Sequence, residues 1–256
     1  MEKQKNNKRR RDDKKQNRAL KNRTNNVTSE ISLRVLEYFD YIQARRRMKR
    51  ERGTSLDIVC VTNRHLCEGD FFERIEKIAA SGVNAVILRE KDLSESEYYC
   101  LAERFTGICK KYEIEAILHT YVNTAVRMKV RSIHLPLNVF CGLDSGVKNF
   151  FNRIGVSCHS VSDALEAEKN GASYITFGHV FATDCKKNLE PKGPEVLKEV
   201  CSAVEIPVYA IGGIDNDNIS SVLDSGASGA CIMSGFMRCN DPKDFVVNLF
   251  RDCKNG

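Results

Sequence analysis

The chain has 256 residues, of which 42% are hydrophobic and 29% charged, with 16 Gly, 5 Pro and no Trp. This composition excludes collagen-like, disulfide-scaffold and wholly disordered proteins. The chain contains no stretch of about 18 uncharged apolar residues, so no membrane span is predicted. The net charge of +6 is unevenly spread, because residues 1–55 hold 18 Lys and Arg against 7 Asp and Glu, whereas residues 56–256 hold 22 against 27.

Residues 1–55 are therefore predicted to be a basic N-terminal extension. Residues 1–27 offer almost nothing to bury, so disorder is expected there. A helix is predicted at about 29–50 from apolar residues at helical spacing: Ile31, Val35, Leu36, Phe39 and Ile42. Nucleic-acid binding is not expected, because no aromatic side chains interleave the basic runs. The alternatives are a solvated tail with a docked helix, an anionic membrane surface as partner, and translation from Met48.

Residues 56–256 are predicted to form one domain in which eight strand-like apolar runs alternate with eight helix-like segments. The predicted strands are 58–62, 85–89, 116–119, 132–135, 154–159, 174–177, 208–211 and 230–234. The predicted helices are 71–81, 95–112, 122–129, 145–151, 162–170, 194–204, 217–225 and 242–253. Continuous Val, Ile and Leu runs are typical of parallel strands that are buried on both faces. We therefore predict an α/β fold, a (β/α)8 TIM barrel, with an open doubly wound sheet as the alternative.

The eleven Cys include no Cys-x-x-Cys pair, and several lie inside apolar runs, as Cys60, Cys158 and Cys231 do. There Cys packs as a small hydrophobe. No apolar signal segment opens the chain. We expect a reduced, cytoplasmic protein without a metal cage.

Polar residues close each predicted strand, where a barrel builds its active site. These are Thr62-Asn63-Arg64, Arg89-Glu90-Lys91, His119-Thr120, His134, Ser157-Cys158-His159, Gly178-His179, Gly212-Gly213 and Ser234-Gly235. We expect several of them to converge on one pocket.

The glycines after strands seven and eight predict a phosphate site, since they let backbone N–H groups approach an anion; ordinary turn glycines are the alternative. Arg89 and Lys91 alternate along a strand and can face one anion together. Their alternatives are a solvated turn or a pair with Glu90. Lys186 and Lys187, in the long loop after strand six, are further cations that could contact the anion, although one of the two is expected to be only solvated.

His159 is the main candidate for acid–base chemistry, because an imidazole at the rim of a phosphate pocket can move protons near neutral pH. His119, His134 and His179 are weaker candidates. No His-x-His or His-Glu-x-x-His spacing supports zinc.

Five motifs together resemble the thiamine phosphate synthase/TenI superfamily, from about residue 56 to the end. They are VILREKD at 86–92, GVSCHS at 155–160, FGHVFATDCKK at 177–187, AIGGI at 210–214 and GASGACIMSG at 226–235. The resemblance implies one of two activities in thiamine biosynthesis. The synthase joins a pyrimidine methyl diphosphate to a thiazole phosphate with Mg²⁺, and the TenI type is a thiazole tautomerase that aromatises a carboxythiazole phosphate.

Four departures from the synthase pattern separate these activities. Ile87 replaces a Gln, and His119-Thr120 replaces the Asn-Asp pair whose Asp holds Mg²⁺. Pro136 and the residues after it lack the second carboxylate, and Gly178-His179 replaces Gly-Pro. Mg²⁺ prefers carboxylate ligands, and Asp144 is the only nearby substitute. Ser-x-His after strand five and Gly-His after strand six resemble the TenI type.

We therefore expect a metal-independent thiazole tautomerase with no cofactor, in which His159 relays the proton. The expected substrate-binding residues are Arg89, Lys91, His119, Ser157, His179, Thr183, Lys186, Gly213, Met233 and Ser234. The expected partner is a small thiazole phosphate, and a homo-oligomer is possible. The alternatives are an Mg²⁺-dependent synthase and a non-catalytic regulatory or binding protein on the same fold.

Overall fold

The computed structural model describes residues 56–186 and 189–249. The predictions for the extension, including its helix at about 29–50 and the start at Met48, lie outside the described residues, and so does Lys187. In the described part of the chain, no helix is long and apolar enough to cross a membrane.

Eight parallel strands form a closed barrel in sequence order, with β1 beside β8, which confirms the predicted TIM barrel. The strands are β1 Asp57–Val61, β2 Ala85–Leu88, β3 Glu115–His119, β4 Ser132–Pro136, β5 Arg153–Cys158, β6 Tyr174–Gly178, β7 Val208–Ile211 and β8 Gly229–Ile232. Each lies within one or two residues of its predicted bounds. The open doubly wound sheet is thereby excluded.

The helices lie between and after the strands. They are α1 Phe71–Ala80, α2 Glu95–Lys111, α3 Val122–Arg127, α4 Leu137–Cys141, α5 Ser145–Phe150, α6 Val161–Lys169, α7 Gly193–Ala203, α8 Ile219–Asp224, α9 Ser234–Arg238 and α10 Pro242–Leu249. The sequence did not predict α4 and α9, because five residues are too few to display a helical period. Both follow strand ends, so they shape the mouth of the barrel.

The interior of the barrel is apolar along most of its length. Its central cluster comprises Val59, Val61, Ala85, Ile87, Ile117, Tyr174, Tyr209 and Cys231. These residues alternate along their strands, so every second side chain fills the barrel while the others meet the helices.

The amino-terminal end of the barrel is closed by a polar network. Asn84 Nδ2 and the Tyr209 hydroxyl donate to Asp57 at 2.7 and 3.0 Å. Arg153 donates to the Tyr209 hydroxyl at 3.1 Å and pairs with Glu115. Because the network links β1, β3, β5 and β7 at this end, the carboxyl end remains the open mouth.

Candidate active site

A cavity of about 300 Å³ opens at the carboxyl ends of the strands, a volume at the lower end of the range for small-molecule sites. It brings together all eleven predicted site residues: Arg89, Lys91, His119, Ser157, His159, His179, Thr183, Lys186, Gly213, Met233 and Ser234. Thr176 and Pro136 also line it, although the sequence analysis did not select them.

The polar residues that follow β1 do not reach this cavity. Thr62 is fully buried and donates to Glu90 Oε1 at 2.7 Å, and Arg64 pairs with Glu90 at 3.0 Å and also with Asp92. Thr62-Asn63-Arg64 is therefore not among the strand-end residues that converge on the pocket. Its hydrogen bonds to Glu90 instead connect the segment after β1 to the segment after β2.

The orientation of Glu90 decides how its neighbours point. The Glu90 carboxylate accepts from Thr62 and from the Arg64 backbone N–H at 3.0 Å. It therefore does not pair with Arg89 or Lys91, which removes that alternative for them. Arg89 and Lys91 line the cavity instead. Because β2 ends at Leu88, both lie in the segment after the strand, so the alternation along a strand on which their shared face was predicted does not apply to them.

Arg89, Lys91 and Lys186 form a cationic group at the cavity wall. Partial burial and repulsion from Arg89 and then Lys186 lower the pKa of Lys91. Like charges held this close are stabilised when an anion sits between them. This wall is therefore suited to a carboxylate or phosphate.

His159 follows β5, and its ring is held by a hydrogen bond to the adjacent strand β6. Its Nδ1 is 2.7 Å from the carbonyl oxygen of Gly178. A carbonyl can only accept, so Nδ1 carries the proton, and in the neutral ring Nε2 has a lone pair. The His159 backbone N–H donates to Asp163 Oδ2 at 2.7 Å, which fixes the backbone as well. The ring is thus oriented as a base.

His119 is buried at the end of β3, where Tyr98 from α2 holds the strand. The Tyr98 hydroxyl accepts from the His119 backbone N–H at 2.9 Å and donates to the Leu88 carbonyl at 2.6 Å. Burial, aided by the charges of His134, Arg89 and Lys91, holds the pKa of His119 well below its usual range. His119 is therefore a neutral wall residue.

His134 does not line the cavity but lies beneath it, in contact with Ser157. Its Nε2 is 2.9 Å from Ser157 Oγ, and its ring stacks on that of His119 at 5.8 Å between centroids. Burial lowers the pKa of His134 to about 3. A role for His134 in direct contact with a ligand is not supported.

His179 is also buried, and its Nε2 donates to the Leu189 carbonyl at 3.1 Å. This bond ties the end of β6 to the loop that carries Thr183 and Lys186. A Cβ on Gly212 would lie 2.3 Å from the His179 Cβ. Gly212 is therefore required for packing, whatever the cavity binds.

The predicted phosphate loops meet at one side of the cavity. Gly213 has φ +67°, and a Cβ there would lie 2.3 Å from the Ala182 carbonyl oxygen. Among the described residues, the Gly213 N–H has no acceptor. Ser234 begins α9, and N–H groups in a first helical turn have no intrahelical acceptor. Both loops thus present backbone donors to the same space.

A second cavity of about 610 Å³ adjoins these loops and shares Thr183, Lys186, Gly213 and Ser234 with the first. Arg238 in α9 contributes to its wall and lies 3.7 Å from Asp184. The sequence analysis did not select Arg238, since nothing in its local pattern separates it from a solvated residue.

The donors present do not fit the Mg²⁺ site that the synthase pattern implies. Its two carboxylate positions hold His119-Thr120 and the segment that begins at Pro136. Asp144 caps α5 by accepting from the Gly146 N–H at 2.7 Å. Among the described residues, no group of three or more His, Cys, Asp and Glu could hold a metal ion. Mg²⁺ usually needs one or two carboxylates.

A closed eight-stranded barrel with a cavity at the carboxyl ends of its strands is the architecture of the TIM-barrel enzymes. The chain matches the family model described as thiamine monophosphate synthase over residues 58–236. It therefore belongs to that family of thiamine-biosynthesis enzymes.

Named relatives agree with this assignment. The chain is 37% identical to a putative thiamine-phosphate synthase 2 of Aquifex aeolicus, covering 70% of this chain and 97% of that protein. It is 34% identical to a thiamine-phosphate synthase of Clostridium acetobutylicum, covering 78% and 95%. A solved thiamine phosphate pyrophosphorylase from Pyrococcus furiosus is 27% identical, with TM-score 0.67 and coverage of 78% and 96%.

Proposed function

We propose that the protein is a thiazole tautomerase that aromatises a carboxythiazole phosphate by moving one proton. The observation that carries this proposal is the bond between His159 Nδ1 and the Gly178 carbonyl. It leaves Nε2 as a base at the cavity wall, and a positioned base of this kind contributes about 10²–10⁴-fold to a rate.

The reaction needs one group that acts first as a base and then, once protonated, as an acid. His159 Nε2 takes the proton from the ring carbon and returns it to the exocyclic carbon, while the double bond moves into the ring. Atoms and charge balance without a second substrate. The negative charge that develops between the two steps is stabilised by cations fixed nearby, and Arg89, Lys91 and Lys186 supply them.

The two ends of the substrate have separate partners in this proposal. Backbone N–H groups at Gly213, Met233 and Ser234 bind the phosphate, as glycine-rich loops and helix starts do elsewhere. The cationic wall faces the carboxylate. His119, Ser157, His179 and Thr183 form the remaining polar wall.

The second candidate is an Mg²⁺-dependent thiamine phosphate synthase, and the names of the relatives favour it. The wall of Arg89, Lys91 and Lys186 would then face a diphosphate. Against this candidate stands the donor set, because His119-Thr120 and Pro136 occupy the positions of the metal-binding carboxylates. A departing diphosphate develops charge that a metal ion normally neutralises.

Separate incubation of the full-length protein with each substrate set distinguishes the two candidates. We expect aromatisation of carboxythiazole phosphate that is unaffected by EDTA. Formation of thiamine phosphate with Mg²⁺, without tautomerase turnover, would establish the synthase. If neither reaction occurs, salt-sensitive RNA or DNA binding that disappears on deletion of residues 1–55 would indicate a non-catalytic role.

A further inference from the structure

A line of polar contacts leads from the barrel core to the cavity wall through His134. His134 Nδ1 lies 3.2 Å from the Tyr174 hydroxyl, and its Nε2 lies 2.9 Å from Ser157 Oγ and 3.3 Å from Thr176 Oγ1. Tyr174 belongs to the central core cluster, whereas Ser157 and Thr176 line the cavity. No step of the proposed reaction uses His134.

The direction of these hydrogen bonds follows from Tyr174. Among the described residues, His134 Nδ1 is the partner of the buried Tyr174 hydroxyl. A buried hydroxyl proton without an acceptor is costly. The Thr176 hydroxyl lines the cavity and can donate into it, whereas Tyr174 does not line the cavity. The phenol of Tyr174 therefore donates to Nδ1. A neutral imidazole carries one proton, which therefore sits on Nε2. His134 then donates to the Ser157 oxygen.

The surroundings of His134 keep the ring neutral. The groups packed around it are the Tyr174 phenol, the His119 ring stacked at 5.8 Å, and Arg153, whose guanidinium lies 4.5 Å from the Tyr174 ring centroid. Burial, with a smaller contribution from Arg153, lowers the pKa of His134 to about 3. The donor at Nε2 is thus retained at physiological pH.

We propose that His134 is a positioning residue that holds the Ser157 hydroxyl as a fixed hydrogen-bond donor to the ligand. The Nε2–H occupies one lone pair of the Ser157 oxygen, and among the described residues the Ser157 hydroxyl has no other partner. Its proton is therefore directed to the cavity. The site selects a ligand with an acceptor at this point, a carboxylate oxygen or a ring nitrogen; only the identity of that ligand rests on the proposed function.

The tautomer of His134 can be measured without a ligand. Long-range ¹⁵N–¹H spectra of the full-length protein separate the two neutral forms and the charged form of each imidazole. His134→Gln assigns the signal, and His65→Gln on the outer loop is the matched control. We expect a neutral ring protonated at Nε2 from about pH 5 to 8. A proton on Nδ1, or titration within this range, would overturn the proposal even if the enzyme is active.

Ligand binding tests the effect on Ser157. Ser157→Ala should weaken binding of carboxythiazole phosphate roughly two- to tenfold, as expected for one neutral hydrogen bond, with a smaller effect on inorganic phosphate. His134→Asn should show the same selective loss, and His134→Gln, whose amide N–H reaches nearer to the Nε2 position, should recover part of it. Equal losses for both probes would count against the proposal. If the wild-type protein binds inorganic phosphate but not carboxythiazole phosphate, the proposed function fails. The measured tautomer of His134 then decides alone whether His134 positions Ser157.

Discussion

The Nδ1 atom of His159 lies 2.7 Å from the carbonyl oxygen of Gly178, so a main-chain group of β6 sets the tautomer of a side chain from β5. The imidazole of His159 is thus oriented by a main-chain carbonyl and not by a carboxylate side chain. It also makes Nε2 the atom that meets a substrate, because the opposite nitrogen is engaged.

Replacing His159 by Asn should separate the orienting bond from the base. The Asn amide can still donate toward the Gly178 carbonyl, but it has no basic nitrogen in the place of Nε2. We expect kcat for tautomerisation to fall about 10²–10⁴-fold, with inorganic phosphate binding retained. His159→Ala is the comparison variant. Wild-type turnover in either variant would remove His159 from the proposed role.

The sequence predicted the barrel and the cavity lining because both depend on local patterns. Apolar runs of strand length mark parallel strands buried on both faces, and polar residues at their ends mark the mouth. The pattern could not show that Glu90 turns to Thr62 and Arg64, since that contact joins residues 26 and 28 positions apart. For the same reason it could not place His134 beneath the cavity.

Tyr98→Phe should destabilise the barrel although it removes only one oxygen atom. The hydroxyl bridges the His119 N–H and the Leu88 carbonyl, and Tyr98 is fully buried. Each group left without a partner costs about 1–3 kcal/mol. Urea unfolding should show a loss of that order or more. Tyr99→Phe on the same helix, at a more exposed position, is the control, and a similar change in both variants would refute the assigned bridge.

Gly155→Ala should disturb the pair formed by His134 and Tyr174. A Cβ at Gly155 would lie 2.1 Å from Tyr174 Cζ and 2.4 Å from His134 Nδ1. Overpacking of this kind costs about 1–3 kcal/mol, occasionally more. Gly107→Ala in α2 is the matched control, because nothing lies within 4 Å of its added Cβ and a helical Gly to Ala change stabilises by about 0.5–1 kcal/mol. The two substitutions should change the free energy of unfolding in opposite directions relative to wild type. A Gly155→Ala variant as stable as wild type would contradict the packing described here.

Acidification from about pH 7 to 5 should lower the stability of the folded protein through its two stacked histidines. Burial depresses the pKa of His134 to about 3 and holds that of His119 well below its usual range. In the unfolded chain both titrate near 6.5. Below that pH the unfolded state binds protons that the folded state does not, so the free energy of unfolding decreases as pH falls.

Protonation of Asp92 does not contribute to this pH dependence between about pH 7 and 5. Hydrogen bonds from Arg64 and then His65 hold the pKa of Asp92 below its usual range, so Asp92 stays ionised and its contribution is lost only at lower pH. Urea midpoints across the range should fall less steeply for His134→Gln than for wild type, although the variant starts from a lower stability. Equal slopes for the two proteins would mean that His134 is not the buried neutral group described here.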